Sequence, residues 1–244
     1  MESQHLLRLK DVQIRLGDTN VLQSVDLFLG RNETLALLGR SGEGKTSLLR
    51  VVSGLESVRH GTVERAPDLS SSDIGFLMQE SGLLPWRTVW ENIVLLSELG
   101  RSHQPASVER GRQLLKAVRL WERRDAQIST LSKGMRQRAA LAQALFVPKR
   151  LLLLDEPFNA LDVHTREELY TLLKALQKEY KFSLLFVTHD FRDALQLADR
   201  LCVLTAGRIA WTGMVQAHDK ETLVTLLRDA MVKEKGLTSE SVKP

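Results

Sequence analysis

The segment Gly39-Arg40-Ser41-Gly42-Glu43-Gly44-Lys45-Thr46 constrains this chain more than any other. It fits the pattern G-x-x-x-x-G-K-[ST], follows the apolar run Thr34 to Leu38, and leads into a helical pattern from Ser47 to Ser53. A strand, a glycine-rich turn and a helix start form a hollow in which backbone N–H groups wrap phosphate oxygens, and the helix end adds partial positive charge. Lys45 can then reach β- and γ-phosphates, and the Thr46 hydroxyl can ligate Mg²⁺. Gly39, Arg40, Ser41, Gly42, Glu43, Gly44, Lys45, Thr46 and Ser47 are therefore the candidate ATP-binding residues. The competing reading is an ordinary glycine-rich turn, and the strand and helix on either side argue against it.

The rest of the chain supplies a sheet for that loop. Strand-length apolar runs recur at Thr34 to Leu38, Ile74 to Met78, Leu151 to Leu154, Ser183 to Val187 and Leu201 to Thr205. Between them Leu169, Leu172, Leu173 and Leu176 keep helical spacing, as do Leu114, Leu115 and Val118. Strands alternating with helices predict an α/β fold with parallel strands. The first 30 residues alternate apolar and polar instead, predicting an antiparallel sheet with a turn at Gly17-Asp18-Thr19-Asn20. From about Pro85 to Phe146 helix formers dominate, with a loop at Ser102 to Ser107, so a helical subdomain is inserted into the sheet domain. The expected division is 1–84 and 147–214 for the core, 85–146 for the helical insertion and 215–244 for a short helical, charged tail.

Two further features belong to the same chemistry. Leu151 to Leu154 runs into Asp155-Glu156, placing two carboxylates at the C-terminal edge of a buried strand, where ligands bind in such sheets. Side chains alternate along a strand, so Asp155 can organise Mg²⁺ while Glu156 faces the attacking water as general base. The next strand ends at Thr188-His189-Asp190, and His189 at that edge can hold the water and Glu156 in line with the γ-phosphate. A histidine after a strand is more often structural; its place in this series carries the assignment.

Bulk properties narrow the setting. With 43% hydrophobic residues in 244, a large core needs no covalent staples. The one cysteine, Cys202, cannot close an internal disulfide and lies in an apolar run, as in a reducing compartment. The start lacks a signal-peptide layout, and no apolar stretch approaches the roughly 20 residues that span a bilayer. The net charge of +4 is scattered among 30 acidic residues, so no nucleic-acid-binding stripe is expected.

Together these residues resemble the nucleotide-binding subunit of ABC transporters, from about Leu6 to Gly213. Met78-Gln79-Glu80 resembles the family's Q-loop, Leu131-Ser132-Lys133-Gly134-Met135-Arg136-Gln137-Arg138 its signature motif, and Asn159-Ala160-Leu161-Asp162 its D-loop. The resemblance implies a P-loop NTPase core of RecA type and an ATPase that works as a head-to-tail homodimer. Ser132 and the Gly134 backbone of one subunit would face the γ-phosphate of ATP held by the other. It also implies that Gln79 senses the γ-phosphate and Mg²⁺, and that the helical subdomain grips an integral-membrane permease at the cytoplasmic face of the inner membrane. A solute-binding protein would complete the system. Leu83 to Ile93 and Met135 to Arg138 are similar to the group importing nitrate, sulfonates, taurine and related solutes. Within that group Trp86 and Trp90 either pack the subdomain or touch the permease.

Three positions depart from the family pattern. Leu16 stands where an aromatic ring usually stacks on adenine, and a lost stack costs roughly 1–3 kcal/mol. Lys133 replaces the signature's first glycine. Asn32 replaces a common glycine, and asparagine tolerates left-handed backbone. Rival readings are the ATPase of a lipid or lipoprotein exporter, a non-transport ATPase of DNA maintenance or translation, and a regulatory module without activity. The retained Lys45, Asp155, Glu156 and His189 weigh against the last.

Overall fold

The computed structural model describes residues 5–17, 19–78, 82–95, 105–217 and 219–232. In chain order the elements are β1 (His5–Leu16), β2 (Thr19–Gly30), β3 (Thr34–Leu38), α1 (Lys45–Ser53), β4 (His60–Arg65) and β5 (Ile74–Leu77). There follow α2 (Val89–Ile93), α3 (Pro105–Ala117), α4 (Lys133–Phe146), β6 (Leu151–Asp155) and α5 (Val163–Tyr180). The chain ends with β7 (Ser183–Thr188), α6 (Phe191–Leu197), β8 (Arg200–Thr205), β9 (Arg208–Met214) and α7 (Lys220–Val232). The described residues fall into two units, one from the stretches 1–68 and 185–244 and one from 69–184.

The first unit is built on a mixed sheet in which β4, β1, β2, β9, β8 and β3 lie side by side in that order. β1 and β2 form an antiparallel hairpin, and β4 pairs antiparallel with the other edge of β1. β3 and β8 are parallel, with Leu35 opposite Arg200 and Leu38 opposite Val203. Every residue of both is buried, which is why each reads as an unbroken apolar run. β4 and β9 are absent from the sequence reading because they alternate exposed with half-buried residues and contain no such run. The hairpin turn is also tighter than expected. Thr19 and Asn20 already pair with Leu16 and Arg15, Gly17 is left-handed at φ +57°, and Asp18 lies outside the described residues.

One buried cation ties this unit together. Arg200 donates from Nε to Glu33 Oε1 at 2.7 Å, donates to the Phe28 carbonyl, and lies 3.9 Å from the Phe28 ring centroid. A buried guanidinium is tolerated only when paired and hydrogen-bonded in this way. The adjoining turn is closed by Asn32 at φ +56°, the left-handed conformation its side chain suits. Within β8, burial pushes the Cys202 thiol above its ordinary value, so it stays an unreactive core group.

The second unit pairs β5 with β6 in parallel, Ile74 opposite Leu151 through Leu77 opposite Leu154. Helices α2 to α4 lie between these strands in sequence and pack around Ile93, Leu114, Leu115, Leu141 and Phe146, all fully buried. Thr88 and Glu91 form a capping box that starts α2. Arg110 on α3 donates to the carbonyls of Leu145 and Phe146 at 2.8 and 2.7 Å, satisfying the end of α4. Burial lowers the Arg110 pKa from its ordinary value. Of the loop expected at Ser102 to Ser107, 102–104 lie outside the described residues, and α3 already begins at Pro105, since proline is well suited to a first helical turn. Trp90 packs edge-on to Trp121 with centroids 6.2 Å apart, as expected of a residue that packs the subdomain, whereas Trp86 is 68% exposed.

Candidate nucleotide site

The phosphate loop lies in the first unit, between β3 and α1. A side chain at Gly39 is impossible without movement, because its Cβ would stand 2.7 Å from both the Leu204 carbonyl oxygen and Glu43 Oε2. Gly44 is left-handed at φ +93°, and a Cβ there would meet Val21 and Leu22 side-chain carbons at 2.8 Å. Gly44 is also the N-cap of α1 and gives it no side-chain cap. The first helical bond runs from the Leu48 N–H to the Gly44 carbonyl at 2.9 Å. The earlier N–H groups of a helix have no acceptor within it and point along its axis. This is the geometry of an anion cradle.

Lys45 supplies the mobile charge. It is 6% exposed, and its Nζ donates to the Gly39 and Arg40 carbonyls at 2.8 Å each. The ammonium is thus held against its own loop with no carboxylate among those two partners. Glu43 is among the candidate residues only as a member of the loop, and its own contact is what sequence reasoning missed. Its carboxylate accepts the Arg40 N–H at 2.8 Å, placing negative charge on a donor of the loop. No pattern in the primary structure signals this, because the contact depends on how the loop curls. Thr46 is half-buried on the first turn. The backbone N–H groups of this loop, with the Lys45 ammonium and the Thr46 hydroxyl, fit a magnesium nucleotide.

In the same unit β7 runs out at Thr188, whose buried hydroxyl donates to Asp193 at 2.8 Å and accepts the Asp190 N–H at 3.0 Å. Asp190 caps α6 and binds the Arg192 guanidinium. These bonds fix the backbone on both sides of His189, which is itself exposed.

The second unit carries the acidic pair. Asp155 ends β6 at 5% exposure, and Glu156 is half-buried just beyond it. The expected alternation along a strand does not orient them, because Glu156 adopts φ +49° and has left the strand. A left-handed non-glycine residue is strained, and such residues gather at functional turns. A second one, Ala160 at φ +54°, lies in the D-loop segment, and the Asn159 N–H donates to the Glu156 carbonyl at 3.1 Å. Asp162 then caps α5, taking the Thr165 N–H at 2.9 Å and its hydroxyl at 2.7 Å. Those bonds hold its carboxyl below the ordinary value, the backbone bond contributing most.

The signature segment starts α4. Ser132 is its exposed N-cap and accepts the Met135 N–H at 3.2 Å, which leaves the hydroxyl proton available as a donor. Lys133 is exposed, and Gly134 is buried against α5, where a Cβ would lie 2.4 Å from Thr165 Cγ2. Gly134 therefore has a packing role in addition to the backbone contact expected of it. Arg138, one turn further on, makes a very short bond to Glu168 of α5. Gln79 lies outside the described residues, as does the side chain of Leu16.

With this geometry in hand, comparison with known proteins is direct. The model of the ABC transporter family matches residues 22–159. Over 207 residues the chain is 44% identical to the aliphatic sulfonates import ATP-binding protein SsuB 2 of Xanthomonas axonopodis pv. citri (strain 306), covering 83% of this chain and 69% of that one. It is also 44% identical over 206 residues to the SsuB protein of Burkholderia pseudomallei (strain K96243), covering 84% and 61%. Both alignments leave about a third or more of the relatives' length unmatched. Among solved structures, MJ1267, an ATP-binding cassette of an ABC transporter in its ADP conformation, superposes with a TM-score of 0.83 at 20% identity, covering 95% and 98% of the two chains. For cbiO1 from Clostridium perfringens, part of the cbiONQ complex, the TM-score is 0.82 at 23% identity, covering 96% and 98%. The α/β architecture is thus the phosphate-loop ATPase fold, and the family match over more than half its length makes this chain a member of the ABC transporter ATP-binding family.

Proposed function

We propose that this protein is the ATP-hydrolysing subunit of an importer and that its cargo is an aliphatic sulfonate or a similar small organic anion. The observation that carries the catalytic half is the loop at Gly39 to Ser47, where a buried ammonium lies beside a helix start with no side-chain cap and close packing admits no side chain at Gly39. The cargo half is supported by the names of the relatives, which import aliphatic sulfonates.

In this reading the loop N–H groups and Lys45 hold the phosphates of ATP. Thr46, Gln79 and Asp155 would hold Mg²⁺, which neutralises phosphate charge when bound. Glu156 takes a proton from the attacking water as its oxygen bonds the γ-phosphorus and the bond to ADP breaks. His189 orients that water. Ser132, by its free hydroxyl proton, and the Gly134 backbone donate to the γ-phosphate of a second copy, so ATP joins a homodimer. The helical subdomain at 85–146, with Trp86 exposed on it, contacts permease subunits, and the protein sits peripherally on the cytoplasmic side of the membrane beside a system served by a solute-binding protein. No helix among the described residues is long and apolar enough to cross a bilayer.

The test is Glu156→Gln. Removing the base while sparing phosphate and metal contacts should abolish turnover, retain ATP binding and trap an ATP-dependent dimer visible by size-exclusion chromatography. Unchanged hydrolysis in this variant would overturn the assignment of Glu156. A system that carries a lipid rather than a sulfonate when purified with its permease would overturn the cargo.

A further inference from the structure

A cavity of about 230 Å³ in the second unit is not used by the proposed nucleotide chemistry. Its apolar wall is Ala117 and Val118 at the end of α3 with Leu172 and Ala175 on α5, and its polar end carries Arg119, Arg138 and Glu168. Glu168 gives its shortest bond to Arg138, whose side chain is only 16% exposed. Its other oxygen lies 4.0 Å from Arg119 Nη1 and 3.7 Å from the exposed His164 imidazole. One carboxylate thus faces two guanidiniums, and the more distant of them, Arg119, is 77% exposed and at the limit of ion-pair range. The polar end keeps an excess of positive charge.

The position of Arg119 is set by how α3 ends. α3 closes with the Arg119 N–H on the Lys116 carbonyl and the Leu120 N–H on the Leu115 carbonyl, and Arg119 itself is left-handed at φ +58°. Glycine is the residue suited to that position after a helix. Arginine occupies it here, and Arg119 lines the cavity with its side chain largely exposed.

We propose that this cavity is a binding site for a small organic anion, one anionic head group on a short aliphatic chain. The head pairs with Arg119 beside the Arg138–Glu168 bond, and the chain lies on Ala117, Leu172 and Ala175. A cation would meet two arginines, and a bare inorganic anion would leave the apolar wall wet. The volume falls below the ~300–1,000 Å³ of pockets for drug-sized ligands, so the occupant is small. An occupant so placed bridges the end of α3 and the side of α5, next to the Arg138–Glu168 bond that ties α5 to α4. Choosing a sulfonate as probe rests on the cargo reading above; binding to the cavity does not depend on hydrolysis.

The experiment is isothermal titration of the full nucleotide-free chain with hexanesulfonate, with hexanol, hexylamine and sodium sulfate as controls. Saturable binding of hexanesulfonate alone is expected. Leu172→Trp, which fills the cavity, and Arg119→Gln should each weaken it at least about tenfold. Arg119→Gly separates binding from folding, since it should raise Tm by relieving the left-handed strain while abolishing binding. Equal binding of hexanol or sulfate, no saturable binding, or binding indifferent to all three variants would each overturn the site. Binding by a protein that proves unable to hydrolyse ATP would overturn the engine and leave this site standing.

Discussion

The starts of α1 and α5 are the same physical object treated in opposite ways. Each presents backbone N–H groups and the positive end of a helix dipole. At α5 Asp162 closes the end with its own carboxylate, two bonds to Thr165 leaving a negatively charged cap. At α1 the cap is Gly44, which has no side chain, and Lys45 waits on the carbonyls of Gly39 and Arg40. A helix start that must receive phosphate cannot be satisfied internally. α4 stands between the two, since Ser132 accepts one N–H and still has a proton to donate. The chemistry of a helix end is thus decided by the single residue that caps it.

Breaking the open end should have the largest effect. Lys45→Ala removes a charged donor from a phosphate, on the order of 3 kcal/mol, so ATP affinity should fall about 100-fold. Fluorescent-nucleotide titration measures it. An affinity within about twofold of the parent would mean that the loop N–H groups alone do the binding. Next in size is the contact that joins α4 to α5. Gly134→Ala drives a methyl into Thr165 Cγ2 and should cost about 1–3 kcal/mol by overpacking. Thr165→Ser removes that methyl yet keeps the hydroxyl bonded to Asp162, so the double variant should recover most of the loss in a urea melt. Failure to recover would move the constraint on Gly134 from packing to its backbone.

The contrast between these ends was only half visible in the primary structure. Gly39 to Thr46 could be read because the pattern requires particular residue types at fixed spacing, and β3, β6, β7 and β8 because burial on both faces leaves continuous apolar runs. β4 and β9 escaped since half-buried alternating strands have no such run. The orientation of Glu156 escaped for another reason. Strand alternation presumes extended backbone, and a φ of +49° is imposed by the turn into the D-loop segment rather than by the residue type. Gly134 was legible as part of a signature, but its collision with Thr165 depends on two helices distant in sequence meeting at their first turns.

Glu43 sharpens the comparison, because it is an internal anion at the otherwise open end. Its carboxylate holds the Arg40 N–H and must yield that donor when a phosphate arrives. Glu43→Gln removes like-charge repulsion close to a helix start, an effect of roughly 0.3–1 kcal/mol. ATP affinity should therefore rise about two- to fivefold, and the gain should shrink as salt is raised. A loss of affinity instead would show that the Glu43 carboxylate shapes the loop more than it competes with phosphate.

The smallest expected effect is the acid response of the closed end. The Asp162 carboxyl is held below its ordinary value of 3.8, first by the Thr165 N–H and then by its hydroxyl. A carboxylate whose folded pKa is depressed contributes stability above its unfolded pKa and loses it as pH falls through the folded pKa. Asp162→Asn keeps a capping oxygen but removes the titration. The variant should thus melt slightly lower than the parent near pH 7, and the difference in Tm should narrow toward about pH 3. Asp73, Glu91 and Asp219 are depressed by similar local bonds, so the parent's own acid transition is a composite, and only the difference between the two proteins isolates the α5 cap. A gap that stays constant with pH would mean that Asp162 works at this helix start by its shape as an acceptor and not by its charge, and an uncharged cap would then serve as well there as it does at α4.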